Sequence, residues 1–212
     1  MTRKAWAVPA LLLFLTMLPI VMAGVRLAEL PRGALPQDSA HLGDTPLLTA
    51  AHAIGGMLMG LLGPLQFWGA FRRRFGRAHR MTGRLFVLGG LLLAGSGVAL
   101  VAAHPDTASP LVDGARLTFS LGLAGALFAA LALILNGQVE AHRDWMIRAY
   151  ALAMGTAPIA FVFLPIYALT GVPPTGLTAD LILIGTWLAC IGAAEAVIRL
   201  ALPRRATGAL AA

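Results

Sequence analysis

The sequence predicts an all-α fold: a polytopic transmembrane bundle of about six helices, with both termini on the cytoplasmic side. Three observations predict it. Hydrophobic residues make up 58% of the 212-residue chain and charged residues only 12%, about half the charged share of a soluble domain. Six stretches reach the roughly 20 apolar residues that carry a helix through a bilayer. Basic residues gather on one side of those stretches, as they do in cytoplasmic loops.

In chain order the stretches are Trp6–Gly24, Pro46–Ala70, Arg84–Ala103, Arg116–Asn136, Ile147–Thr170 and Thr178–Leu200. Lipid offers no hydrogen-bond partner to the backbone, so each stretch must satisfy itself as a helix. The connections hold the expected turn residues: Pro31, Gly33 and Pro36; Gly76; Pro105 and Pro110; Gly137; Gly171, Pro173 and Pro174. The first stretch, with Arg3 and Lys4 ahead of it and Val21-Met22-Ala23 before Gly24, is similar to a signal peptide with its cleavage site. Its length exceeds a usual signal core and favours retention; cleavage would leave five spans in the same orientation.

With the N-terminus inside, the cytoplasmic segments hold Arg3, Lys4, Arg72, Arg73, Arg74, Arg77, Arg80, Arg84, Arg143, Arg148, Arg199, Arg204 and Arg205, thirteen of the sixteen basic residues. Only Arg26, Arg32 and Arg116 fall outside, together with the acids Glu29, Asp38, Asp44, Asp106, Asp113 and Asp180. The net charge of +7 is therefore an orientation signal. No aromatic–basic alternation points to nucleic acid. The single cysteine, Cys190, sits in an apolar run and excludes an intrachain disulfide or a cysteine-built metal site.

Small residues predict close helix packing: Gly56 with Gly60, then Gly89, Gly90, Gly95 and Gly97, then Gly122 with Gly125. Pro64 bends the second span and Pro158 and Pro165 disturb the fifth. Gln66, beside the first bend, is placed to line a small cavity of the kind transporters use at interrupted helices. Glu195 stands four residues before Arg199, and this spacing predicts a pair on one helix face near the cytoplasmic interface; a proton-relay role lacks a partner elsewhere.

The histidines carry the sharpest chemistry. His41 lies in the first outer loop and reads as solvated. His52 and His104 lie toward the outer side, His79 and His142 at the cytoplasmic entrances of the third and fifth spans. The last two sit in matching text: Ala78-His79-Arg80, then Arg84 and Phe86, against Ala141-His142-Arg143, then Arg148 and Tyr150, with one extra residue in the second copy. Helical rise places the two imidazoles within ~1.5 Å in depth. Such a pair can ligate a haem iron from both sides, or another metal. His52 with His104 would supply a second site, giving a transmembrane electron conduit with haem b as cofactor. Counted along the helices, His52 is ~9 Å below Pro46 and His104 ~30 Å beyond Arg84, so the outer pair matches only with tilt or a deeper start. The bland alternative is interfacial: Arg80, Arg84, Arg143 and Arg148 meeting anionic lipid headgroups, with Trp145 and Tyr150 at headgroup level.

The block Ala51–Leu164 resembles a bacterial family of predicted membrane proteins, domain of unknown function 2306. The resembling residues are His52, Gly63-Pro64-Leu65-Gln66-Phe67, Arg72-Arg73-Arg74, His79-Arg80, Gly83-Arg84 and His142-Arg143-Asp144-Trp145-Met146-Ile147-Arg148-Ala149-Tyr150-Ala151-Leu152. The resemblance implies a helical membrane protein and no assigned activity. The family pattern often has an arginine near where this chain has Ala160, so a family site built on that charge is not expected here. The chain then reads as one membrane domain over 1–212: a family-like core over 46–170, the first helix and outer loop over 1–45, and the last helix with a cytoplasmic tail over 171–212. Residue type and depth of the histidines are also similar, by analogy, to the bis-histidine membrane cytochromes of the b561 kind.

No nucleophile elbow, phosphate-cradling loop, HExxH motif or catalytic carboxylate pair is present, so an enzyme of the soluble type is not expected. Three functions follow in order: a multi-pass inner-membrane protein moving electrons through bis-histidine haem; a transporter of a small molecule or ion; a structural subunit of a membrane complex or homo-oligomer.

Overall fold

The computed structural model describes residues 4–105 and 107–201. Arg3, Asp106, Arg204 and Arg205, which enter the charge asymmetry, lie outside the described residues. Among the described residues all regular structure is helical. Helix α1 (Lys4–Glu29) is followed by two 3₁₀ segments (Leu30–Arg32 and Gln37–Asp44). Then come α2 (Pro46–Phe67), the short α3 (Gly69–Arg74), α4 (Gly76–Ala103), α5 (Pro110–Leu135), α6 (Val139–Ala153), α7 (Ile159–Thr170) and α8 (Gly176–Ala196), the last running into a π-helical turn (Val197–Ala201).

Among the described residues five helices are long and apolar enough to cross a membrane: Trp6–Arg32, Pro46–Phe67, Gly76–Ala103, Pro110–Leu135 and Gly176–Leu200. The fifth expected span, Ile147–Thr170, is the exception. It begins earlier, at Val139, and it is broken between Ala153 and Ile159. Neither half crosses alone, since the 12 residues of α7 rise only about 18 Å. The break has a local cause: Pro158 has no N–H to continue the ladder and its ring collides with the preceding turn.

The break also has a tertiary cause. The indole Nε1 of Trp187 on α8 donates to the carbonyl of Leu152 at 2.9 Å, taking over one of the acceptors a helix end leaves open. Gly155 lies against that indole so closely that a Cβ there would overlap it.

The core is a four-helix unit of α2, α4, α5 and α6, with α1 packed on α2 and α8 on α6. Its centre is Met59, Phe86, Leu127 and Ala149, each 0% exposed. Glycine sets the helix spacing. A Cβ on Gly55 would stand 2.7 Å from the Gly89 carbonyl oxygen, and one on Gly90 2.6 Å from Leu127. Gly63 admits the ring of Tyr150. The thin face of α4 is thus used at Gly89, Gly90 and Gly97, while Gly95 and Gly125 face open space. On α2 the tightest contact to α4 is at Gly55, with Gly56 3.9 Å from Leu93 and Gly60 receiving Ile20 and Thr16 of α1. Large apolar side chains remain on the outside, Leu121 and Phe128 on α5 and Leu181 and Leu188 on α8 among them, as suits a bundle surrounded by hydrocarbon.

Candidate functional site

The helices run alternately up and down, so the bundle has two chemically different ends. One collects the starts of α4 and α6 and the ends of α2, α5 and α8. The other collects the starts of α2, α5 and α8 and the ends of α1 and α4.

At the first end the two His-Arg motifs occupy equivalent helix positions. His79 is the fourth residue of α4 and His142 the fourth of α6. Each backbone N–H donates to the carbonyl of the residue just before its helix, Phe75 and Gln138, at 2.9 Å in both cases. His142 Nδ1 meets the carbonyl of Ala130 at 2.8 Å. A carbonyl only accepts, so Nδ1 carries the proton and Nε2 keeps its lone pair when the ring is neutral. His79 Nδ1 is buried without a partner. His142, Arg72 and Arg80 lie near enough for their charges to act on the His79 ring. Phe86 and Tyr150, both buried, lie about two turns further along the same helices, and their rings stack at 6.1 Å.

The other residues singled out at this end have separate roles. Arg80 and Arg84 are exposed. Arg143 pairs with its neighbour Asp144 at 2.9 Å. Arg148 makes two bonds to Glu195 on α8, at 2.5 and 3.1 Å, and lies over the Trp145 ring at 5.0 Å. Arg199, the partner expected for Glu195, is the lesser one at 3.6 Å and is 72% exposed. The carboxylate is claimed first by a motif arginine on another helix, whose planar fork fits it. Gln66 is buried and donates through Nε2 to Thr82 Oγ1 at 2.7 Å, tying the end of α2 to the start of α4. Thr82 passes its own proton to the carbonyl of Ala78 at 2.8 Å.

The second end holds a cavity of about 530 Å³ lined by His41, His52, His104, Asp113, Arg116, Ser120, the broken-helix residues Met154, Thr156 and Ala157, and Trp187. That volume lies within the range of sites for drug-sized ligands. His52 on α2 bonds Ser96 Oγ through Nδ1 at 3.2 Å, and the same hydroxyl donates to the carbonyl of Leu92 at 2.6 Å. The serine's proton is spent on the carbonyl, so its oxygen accepts from Nδ1–H, leaving Nε2 with a lone pair. His104 caps the end of α4 with its Nε2 against Thr45 Oγ1 at 2.8 Å. The His41 ring meets it edge-on at 5.0 Å. Arg116, bonded to Asp113 at 3.3 Å, is near enough for its charge to act on His52.

His52 and His104, paired in the sequence by type, therefore line one cavity. His41, set aside there as solvated, lines it with them, because the 3₁₀ segment Gln37–Asp44 folds back over the bundle end. Among the described residues no three side chains of His, Cys, Asp or Glu form a metal-binding group. The sequence placed Arg116 among the three outer arginines without linking it to a site, and Trp187, a tryptophan mid-span, was not singled out.

This architecture defines the class: an α-helical membrane protein with several apolar helices, embedded in a lipid bilayer. The family model described as "Predicted membrane protein (DUF2306)" matches residues 49–198, and the chain belongs to that family. The match runs past the block Ala51–Leu164 to take in α8, with both Trp187 and Glu195. No curated protein and no solved structure matches the chain.

Proposed function

We propose that the protein binds haem b in the cavity at the second end of the bundle, where His52 Nε2 would ligate the iron, and passes electrons across the membrane. The observation that carries this reading is the convergence of His52 and His104, from two different helices, on one cavity of ligand size. A ligating imidazole is ordinarily oriented through its other nitrogen by a hydroxyl, carbonyl or carboxylate, and Ser96 does this for His52. His142, held by the Ala130 carbonyl, is prepared in the same way; with His79 it offers a second site at the opposite end. When bound, haem supplies a one-electron carrier; the chain's own part is to orient the imidazoles and exclude water.

The charge asymmetry supports an orientation with both termini in the cytoplasm and the cavity opening outward, in the plasma membrane of a bacterium. In that orientation the first end meets anionic headgroups.

The test is the absorption spectrum of the full chain purified in detergent from cells supplied with haem precursor. A Soret band is expected, lost in H52A and weakened in H104A. If H79A or H142A removes a separate fraction of the haem, a second site is present. A colourless protein of native stability overturns the reading.

A second reading, transport of a small molecule, is favoured by one observation: the break between α6 and α7 borders the same cavity, and interrupted helices line substrate sites in transporters. It predicts ligand-dependent stabilisation of a colourless protein.

A further inference from the structure

The connection from α2 to α4 carries a concentration of charge that the rest of the bundle does not answer. Arg72, Arg73, Arg74, Arg77, Arg80 and Arg84 are all exposed. The ion pairs among the described residues involve Arg26, Arg116, Arg143, Arg148 and Arg199 instead. Six guanidinium groups within thirteen residues repel one another unless an external anion comes between them.

Two further observations fall on the same connection. Among the described residues, Trp68 Nε1 and His79 Nδ1 are two of three buried side-chain polar atoms without a hydrogen-bond partner. Buried polar atoms are normally satisfied, so such orphans mark a missing partner. The charges of Arg72 and Arg80 both act on the His79 ring. The chain also presents aromatic rings in sequence along the turn. Trp6 lies on Trp68 at 3.9 Å, Trp68 stacks on Phe71 at 6.2 Å, and Phe71 meets Phe75 at 5.9 Å. Phe75 and Met81 are 50% and 57% exposed. Aromatic rings beside arginines at the end of two apolar helices fit the level where acyl chains give way to headgroups.

We infer that the α2–α4 connection is a binding site for an anionic phospholipid, its phosphate held by Arg72 and Arg80 and its acyl chains beside the Trp68–Phe75 rings. A nucleic acid would meet the charge and leave the exposed apolar rings unused; a soluble phosphate would do the same. The inference rests on the reading that this end of the bundle meets anionic headgroups.

The test is native mass spectrometry of the full chain released from nanodiscs of phosphatidylcholine containing phosphatidylglycerol. Wild-type protein is expected to retain phosphatidylglycerol selectively. R72Q/R80Q is expected to retain it on the order of thirtyfold more weakly, from about 1 kcal/mol for each basic residue at an anionic surface. R26Q/R32Q, which removes two charges at the other end of the bundle, is expected to match wild type. R72K/R80K keeps charge without the guanidinium fork and guards against a folding defect; it is expected to fall between. Equal retention by wild type and R72Q/R80Q overturns the inference. So does displacement by millimolar inorganic phosphate with no preference for phosphatidylglycerol over phosphatidylcholine, or tighter binding of a DNA oligonucleotide than of the lipid.

Discussion

Arg148 and Glu195 are the best place to measure what holds the broken helix to the bundle. The pair joins α6 to the end of α8 through two charge-assisted bonds, and its side chains are 29% and 27% exposed. A fully exposed ion pair is worth about 0.2–1 kcal/mol, and hydrogen bonds to charged groups about 1.5–3 kcal/mol. With less than a third of each side chain exposed and a planar two-point fit, the coupling should be about 2 kcal/mol. The experiment is a double-mutant cycle of R148M, E195Q and R148M/E195Q, followed by intrinsic tryptophan fluorescence during thermal unfolding in detergent. About 2 kcal/mol corresponds to roughly 4–8 °C in a chain of this size. Each single variant should lose at least that much, because each strands one charge at the edge of the hydrocarbon. The double variant should lose less than the sum. R199M removes the exposed third member and should cost under about 0.5 kcal/mol. Additive single effects, or an R199M loss equal to that of R148M, would refute the assignment of Arg148 as the principal partner.

Three other outcomes follow from packing. Gly63→Ala drives a Cβ into the Tyr150 ring and should cost about 1–3 kcal/mol by overpacking, whereas Gly125→Ala, with open space around it, should cost nothing; thermal midpoints compare them directly. Trp187→Phe keeps the ring contact and deletes the bond to Leu152, for a loss of about 1 kcal/mol and faster hydrogen exchange across residues 153–158. Gln66→Leu removes the bridge to Thr82 at a similar cost and should leave any Soret band unchanged, since Gln66 is no part of the cavity lining; a bleached Q66L protein would place the haem at the other end.

The spans were legible in the sequence because length and hydrophobicity are local properties that lipid enforces without reference to the fold. The break in the fifth was only half legible. Pro158 announces a disturbance, but kink and rupture differ by whether something else accepts the job of the lost bonds, and that is the Trp187 indole, nearly thirty residues later in the chain. Glu195 illustrates the same limit. Its i,i+4 neighbour Arg199 is visible by counting, while Arg148 becomes its partner only when α6 and α8 lie side by side. The available cue was that both charges sit near the same end of antiparallel spans. His41 was illegible for another reason: nothing in the periodicity of a loop says where it folds back, so a residue read as solvated reaches the wall of the cavity.

The two His-Arg motifs show how a single inserted residue divides one pattern into two jobs. Both helices open alike, with the histidine amide bonded to the residue before the helix. Up to that point the backbones are equivalent, although His142 Nδ1 is bonded to the Ala130 carbonyl and His79 Nδ1 has no partner. The arginine that follows is five residues on in α4 and six in α6, and one residue of α-helix turns a side chain by about 100°. Arg84 is left on the outer surface, where it belongs to the basic face, while Arg148 is turned toward α8 and meets Glu195. The repeat therefore conserves the placement of two imidazoles and changes what the flanking arginines do. An interfacial role alone needs the arginines and is indifferent to histidine placement. The histidines hold equivalent helix positions while the arginines diverge, so variants of His79 and His142, rather than of Arg84 and Arg148, test the haem reading of the first end.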